Sequence, residues 1–528
     1  MLKMKRTKYL SYCALAALIV MMMAATFVEK SSGTAAAFRW VYHHPLFLVL
    51  WAVAAVCGLI YLIRRGTPQK RFTMGIHLGL VVILAGALVT FLFGTSGSIH
   101  LQEGEASSAF ERDDGSPASL PFDIRLDGFA IDYHPGSRRP SDYRSDVVFL
   151  PEGKAVRISM NHIARYKGYR FCQADYDEDG KGSILAVSHD PWGVGITYAG
   201  YLLLFLSMIG FFFEKDTAFR STLRRVASMT AASALLMFLP SQQAEARPSG
   251  VQEEISGAEQ LYLQIGRPQV QAVLCLTLGV ALFVTGIVLI TKKKKFPAWA
   301  LTAGAAVALL MWLYLTLVIG LRWYASGTGP YVGRYNVMML MAWFSTLAIL
   351  LLYRRFPLIQ PLGFLLSGFT MLLAGRTGAG LQITPLMPVL QSPLLSVHVV
   401  SMMMSYTLFG LVAFNGIMGM AVPSREASEK LRDVSVVVLY PAVFLLAFGT
   451  FLGAVWANIS WGSYWAWDPK ETWALITLLV YSFTLHGDAL GPFRSPRFFH
   501  GYTLGAFLCV LVTYFGVNLI LGGMHSYA

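Results

Sequence analysis

Four of the eleven histidines fall where long apolar runs begin or end. His77 lies just inside the third run and His486 closes the twelfth, while His398 opens the tenth and His525 follows the thirteenth. Runs that alternate in direction across a bilayer would put His77 and His486 at one depth, and His398 and His525 at the other. Neutral imidazole is a ready ligand for metal, haem iron included. An ionisable group at membrane depth is a functional candidate by default. The plain alternative is that each histidine anchors a helix end at the lipid interface. That reading is kept for His43, His44, His100, His134, His162, His189 and His500.

Between the two histidine levels lies an unusual tract, Trp461-Gly-Ser-Tyr464-Trp465-Ala-Trp467-Asp468-Pro-Lys470-Glu471-Thr-Trp473. Four of the chain's twelve tryptophans crowd into it. An aromatic belt at headgroup level would explain scattered indoles, but not this density, nor the Asp, Lys and Glu in the same turn. Flat aromatic side chains with a few fixed polar groups suit a large planar apolar ligand with charged edges. Haem has that character, with a face for the indoles, propionates for cations and an iron for two imidazoles. Thirteen residues of helix separate Trp473 from His486, about 20 Å. That is too far for one haem to touch both levels.

The elements that must position these residues follow from composition. Hydrophobic residues make up 55% of the 528 and charged residues 13%, against about a quarter charged in a soluble protein. Apolar runs at 9–28, 45–63, 75–93, 196–213, 226–240, 270–290, 298–319, 336–353, 357–374, 396–421, 435–455, 473–487 and 501–521 are candidate spans, with 226–240 and 473–487 short. The fold class expected is an all-α polytopic membrane protein of about thirteen transmembrane helices with one small β-rich extracytoplasmic domain. With the N-terminus in the cytoplasm, 23 Lys and Arg fall in loops on that side and 8 in the opposite short loops, as the positive-inside rule requires.

The net charge of +13 is dispersed among these loops, so it gives no basic face for nucleic acid. Segment 94–195 carries 11 basic and 16 acidic residues. Its alternating stretches, such as Phe122 to Phe129 and Ala155 to Ser159, read as strands. The five cysteines include no CxxC pair, so disulfide exchange is not expected here. The stretch Arg224 to Arg247 is either a short fifth span or a fusion scar resembling a signal with the cleavage site Ala244-Glu-Ala246.

The tract from Trp461 to His486, centred on WGSYWAWDPKETWALIT, resembles the tryptophan-rich motif of haem-handling proteins, and more narrowly the CcsA component of system II cytochrome c biogenesis. The surroundings of His398 (HVVSMMMSY) and His525 (GGMHSY) are similar to that family's external histidines. The front half resembles its partner CcsB, also called ResB, through the spans around His77, Lys167-Gly-Tyr-Arg-Phe171 and the stretch Ser183 to Gly193. The outer domain is shorter than usual for CcsB, and Leu478 stands where the family often continues with tryptophan.

The resemblance implies a natural CcsB–CcsA fusion. It would comprise CcsB-like helices in 1–93, the outer domain in 94–195, a helix and linker in 196–225, a junction in 226–268 and a CcsA-like portion in 269–528 with its loop at 456–473. It implies a holocytochrome c synthase of the bacterial cytoplasmic membrane, with loop and C-terminus outside. Haem b would be substrate and bound ligand, taken from an inner station at His77 and His486 to an outer one at His398 and His525. Trp461, Tyr464, Trp465, Trp467 and Trp473 would bind it there, with Trp461, Trp465, Trp467 and Asp468 positioning the reactants. Apocytochrome c bearing CxxCH would be the acceptor, kept reduced by thiol-reducing proteins. The rival readings are a bis-histidine haem b electron-transfer subunit, a transporter without haem, and a haem chaperone of the other bacterial maturation system.

Overall fold

The computed structural model describes residues 2–65, 70–134, 138–229, 257–329, 331–376, 382–383, 386–487 and 489–522. Four helices come first, α1 Leu2–Ser32, α2 Thr34–Ala37, α3 Pro45–Arg64 and α4 Arg71–Phe93. Eight strands follow, β1 Thr95–Gln102, β2 Ala106–Arg112, β3 Pro117–Tyr133, β4 Pro140–Phe149, β5 Lys154–Ser159, β6 Ala164–Tyr166, β7 Tyr169–Tyr176 and β8 Gly182–His189. The chain returns to helix with α5 Gly193–Phe211, α6 Ala218–Met229, α7 Gly257–Ile265, α8 Gln269–Thr291, α9 Ala298–Ser326, α10 Arg334–Leu352 and α11 Ile359–Gly375. It ends with α12 Pro393–Ala421, α13 Arg425–Ser460, α14 Pro469–Leu485 and α15 Pro496–Leu511, which runs on as a π-helical stretch over Val512–Leu521.

Ten of the described helices are long and apolar enough to cross a membrane. Two more expected spans appear as α11 and α14, each of 17 residues, at the short end of the roughly 17–25 that a bilayer tolerates. The thirteenth, expected at 226–240, lies from residue 230 outside the described residues, as does the supposed cleavage site. Apolar side chains such as Val20, Leu206, Val270 and Leu310 stay exposed, as lipid-facing residues do.

The segment between α4 and α5 is an antiparallel sheet in the order β5-β4-β3-β2-β1-β8-β7-β6. Alternate residues turn inward, and Ile99, Leu101, Ile124, Leu126, Phe149, Phe171 and Leu185 are buried in its core. A local bridge between Ser159 and His162 tightens the turn that leaves β5 toward β6.

The sheet is anchored by α4 and α5, which pack backbone to backbone. A Cβ added at Gly79 would lie 3.0 Å from the Leu204 Cα, and one at Gly200 2.8 Å from the Ile83 nitrogen, so only small residues permit this approach. Helix α4 begins four residues before the expected start, because its cap comes from far along the chain. The Glu214 carboxylate accepts from the Phe72 N–H at 2.8 Å and the Thr73 N–H at 3.1 Å, satisfying orphan donors of the first turn.

Candidate functional site

His77 now lies nearly two turns into α4, at the end remote from the sheet, and His486 ends α14 at the same level. Their rings meet edge to face, with centroids 5.9 Å apart and planes at 81°. Each ring is held by its own helix. His77 Nδ1 is 2.8 Å from the Thr73 carbonyl oxygen, and His486 Nδ1 is 2.7 Å from that of Ser482. A carbonyl only accepts, so each Nδ1 carries the proton and each Nε2 the lone pair a metal would use.

With a metal–imidazole bond of about 2 Å and a ring centre about 1 Å beyond the nitrogen, two imidazoles on one iron have centres roughly 6 Å apart. The pair fits that spacing. Among the described residues no group of three or more His, Cys, Asp or Glu gathers as a metal site. Two imidazoles alone leave a bare ion short of ligands, whereas a porphyrin brings four nitrogens of its own. Tyr12 of α1 stands edge-on to His486 at 6.2 Å, and Arg65, just past α3, lies within electrostatic reach of it. Neither residue stood out in the sequence, since each is paired with the site only by helix packing.

At the sheet side the tryptophan-rich tract connects α13 to α14. Asp468 caps α14 by accepting from the Lys470 N–H at 2.9 Å, with Pro469 in the first turn. The Glu471 carboxylate accepts from the Ala466 N–H at 2.9 Å, and the Lys470 ammonium donates to Asn518 Oδ1 at 3.1 Å. The two carboxylates therefore fold the loop back onto its helix, while Lys470 ties that helix to the stretch Val512–Leu521. Trp467 sits at φ +55°, a costly conformation for a bulky residue. It is held there by Tyr42, stacked at 4.6 Å and 18°, by the edge of Phe47 at 5.3 Å, and by the Thr472 hydroxyl donating to its carbonyl at 3.1 Å.

Trp465 meets Trp467 edge to face at 5.7 Å, and Trp461 meets Trp456 at 4.9 Å. Trp473 is buried, its N–H donating to the Thr26 hydroxyl of α1 at 3.3 Å. It is thus a packing residue between helices rather than part of an open aromatic face.

His398, in the second turn of α12, is wedged against α13. Its Nδ1 donates to the Gly449 carbonyl at 2.6 Å, and a Cβ added at Gly453 would lie 2.6 Å from that nitrogen. His525 lies outside the described residues. The histidines set aside have structural partners: His44 caps α3, His189 stacks on Tyr169 at 4.5 Å, and buried His500 bonds the Ser428 carbonyl at 3.0 Å.

The sheet itself grips the loop, which the sequence did not suggest. Arg170 donates to Asn458 Oδ1 at 2.5 Å, and Ser460 to Asn161 Oδ1 at 2.6 Å. Gly462, at φ +76°, lies so close to β7 that an added Cβ would be 3.1 Å from Cys172 Sγ. Burial pushes the Cys172 thiol up to about 11, and a thiol rather than thiolate is unreactive. Cys172 is therefore expected to resist a maleimide at about pH 8 in the folded protein and to react once unfolded. Equal labelling rates in both states, read by mass shift, would refute the docked arrangement.

A membrane bundle that presents paired imidazoles at one depth, with an aromatic loop under a small sheet at the other, has the makings of a haem-handling membrane protein. Residues 331–525 match the Cytochrome C assembly protein family, and residues 64–193 match the ResB-like family. The chain is similar to Protein NrfI of Wolinella succinogenes, 23% identical over 96% of this chain and 93% of that one. It is 30% identical to cytochrome c biogenesis protein CcsA of Guillardia theta, and 31% to CcsA of Prochlorococcus marinus strain MIT 9313, over 48% of this chain and 93% of each relative. The chain belongs to the CcsA family of cytochrome c biogenesis proteins, with a ResB-like portion fused ahead of it in one polypeptide.

Proposed function

We propose that this protein carries haem across the bacterial cytoplasmic membrane and joins it by thioether bonds to the CxxCH segment of an apocytochrome c outside. The observation that carries the reading is the meeting of His77 and His486, from opposite ends of the chain, with both Nδ1 atoms occupied and both rings at the spacing of one iron. The excess of Lys and Arg in loops remote from the sheet supports placing this station toward the cytoplasm and the sheet outside. His398 and His525 would hold haem b at the outer station, beside Trp461, Tyr464, Trp465 and Trp467.

In the joining step each acceptor thiol adds across one haem vinyl group. A carbon–sulfur bond forms, the vinyl π bond is consumed, and the thiol proton ends on the neighbouring carbon, with no net electron transfer. The acceptor cysteines must be reduced, which thiol-reducing proteins would ensure. The chain's own part is positioning, which lowers a barrier by several kcal/mol when reacting atoms are held in register. His398, pinned through Nδ1 to Gly449, offers Nε2 in a fixed direction. The loop, strained at Trp467 and capped by Asp468, gives the porphyrin plane a rigid wall.

The test is expression beside a CxxCH apocytochrome in a host stripped of its own maturation genes. Covalent haem on the apocytochrome, seen as colour surviving acid–acetone extraction, is the expected outcome. A purified membrane protein that is red while the apocytochrome stays colourless would favour a stationary bis-histidine electron carrier instead.

A further inference from the structure

The tryptophan-rich loop of the CcsA portion is tied to the ResB-like portion by a short relay. Asp190, between β8 and α5, accepts with Oδ1 from the N–H of Trp192 at 3.2 Å and Gly193 at 2.6 Å, and with Oδ2 from Val194 at 3.1 Å. It thus caps α5. The same Oδ2 lies 2.6 Å from Thr90 Oγ1, near the end of α4, and Thr90 Oγ1 lies 3.0 Å from the Tyr464 hydroxyl in the loop. The donor inventory settles the directions. A carboxylate only accepts, so the single Thr90 proton goes to Asp190, and Tyr464 must donate to Thr90. One acid therefore dictates the orientation of two hydroxyls in series.

The relay also lacks slack. A Cβ at Gly193 would strike Thr90 Oγ1 and come within 2.7 Å of Asp190 Oδ2, so the closeness of α5 to α4 is built in. Tyr464 is buried, one residue before Trp465. The hydroxyl lies hundreds of residues from its partners in sequence, in the other half of the fusion. A second tie, from Arg170 to Asn458 and from Asn458 Nδ2 to the Tyr198 hydroxyl at 2.6 Å, already docks the loop's leading edge. The Tyr464 hydroxyl is thus a separate tie, made within the tract beside Trp465 rather than at the leading edge.

We propose that Thr90 and Tyr464 are positioning residues for the outer station, through which the ResB-like half orients the indoles against the porphyrin. This rests on the synthase reading above. The test uses full-length protein with the CxxCH apocytochrome, comparing wild type, Thr90→Val, Thr90→Ser, Tyr464→Phe and the double variant Thr90→Val/Tyr464→Phe. Thr90→Val keeps the shape and removes the hydroxyl; Thr90→Ser restores it.

The expected result is a holocytochrome yield about tenfold lower in Thr90→Val and in Tyr464→Phe, no lower in the double, and recovered in Thr90→Ser. The visible spectrum contributed by the outer haem should shift, while haem retained by His77 and His486 and the protein yield stay at wild-type levels. Thr90→Val with wild-type yield and spectrum overturns the proposal, as does additive loss in the double variant. Loss of protein together with haem at the distal station, the proposed inner one of His77 and His486 remote from the sheet, in Thr90→Val with Tyr464→Phe normal also overturns it by assigning Thr90 to folding alone. If wild type itself makes no holocytochrome, the synthase reading fails, independently of the variants.

Discussion

Replacing His486 by alanine is expected to remove the haem of the distal station and to lower the holocytochrome yield by roughly a hundredfold or more. Loss of an outer-shell partner alone typically costs a metal site 10–100-fold, and here a proposed iron ligand itself is deleted. His77→Ala should match it, because the proposed station takes one imidazole from each of the two rings, whose centroids lie 5.9 Å apart. The double variant should be no worse than either single, since residues acting as a unit are not additive. The fold should survive. Both rings are only partly buried, and each bonds only a carbonyl of its own helix among the contacts described. Haem content per purified protein and acid-stable haem on the apocytochrome are the measurements. A His486→Ala protein with a wild-type Soret band would remove the distal station from the account.

Gly453→Ala is expected to reproduce the loss caused by His398→Ala, although it adds a single methyl group on another helix. The added carbon would sit 2.6 Å from His398 Nδ1 and 2.7 Å from Cε1, well inside contact distance, and would crowd the same nitrogen that bonds the Gly449 carbonyl one turn earlier on α13. The imidazole must then leave its slot, and a displacement of about 1 Å can cost a hundredfold in a positioned reaction. Gly453→Ser, larger still, should be no better. The discriminating measurement is the distal haem, which should stay at wild-type level in Gly453→Ala while the outer haem and product fall together. If product stays normal, His398 is not held by the α13 glycines in the working protein.

Much of this molecule was legible before folding was considered. Apolar runs, the bias of basic residues and the alternation in 94–195 follow from the solvent each residue must face. These are local properties, so twelve of the thirteen expected runs coincide with described helices and the polar segment is a sheet. The same topology put His77 and His486 at one depth, because the ends of α4 and α14 remote from the sheet must share a membrane face.

Depth, however, is one coordinate of three. Whether two side chains at one level touch depends on which helix faces pack, and α4 reaches α14 only through the tertiary arrangement that brings Tyr12 and Arg65 to the same place. Helix α4 starts ahead of the apolar run at 75–93 because its cap, Glu214, comes from beyond α5. The tryptophans looked alike as letters, yet Trp473 is buried on Thr26 while Trp467 is strained beneath Tyr42. The grip of the sheet on the loop, through Asp190, Thr90 and Arg170, joins residues up to 374 positions apart. Pairings of that range leave no periodic trace in a sequence, because each partner's identity is permissible on its own and only close packing makes it necessary.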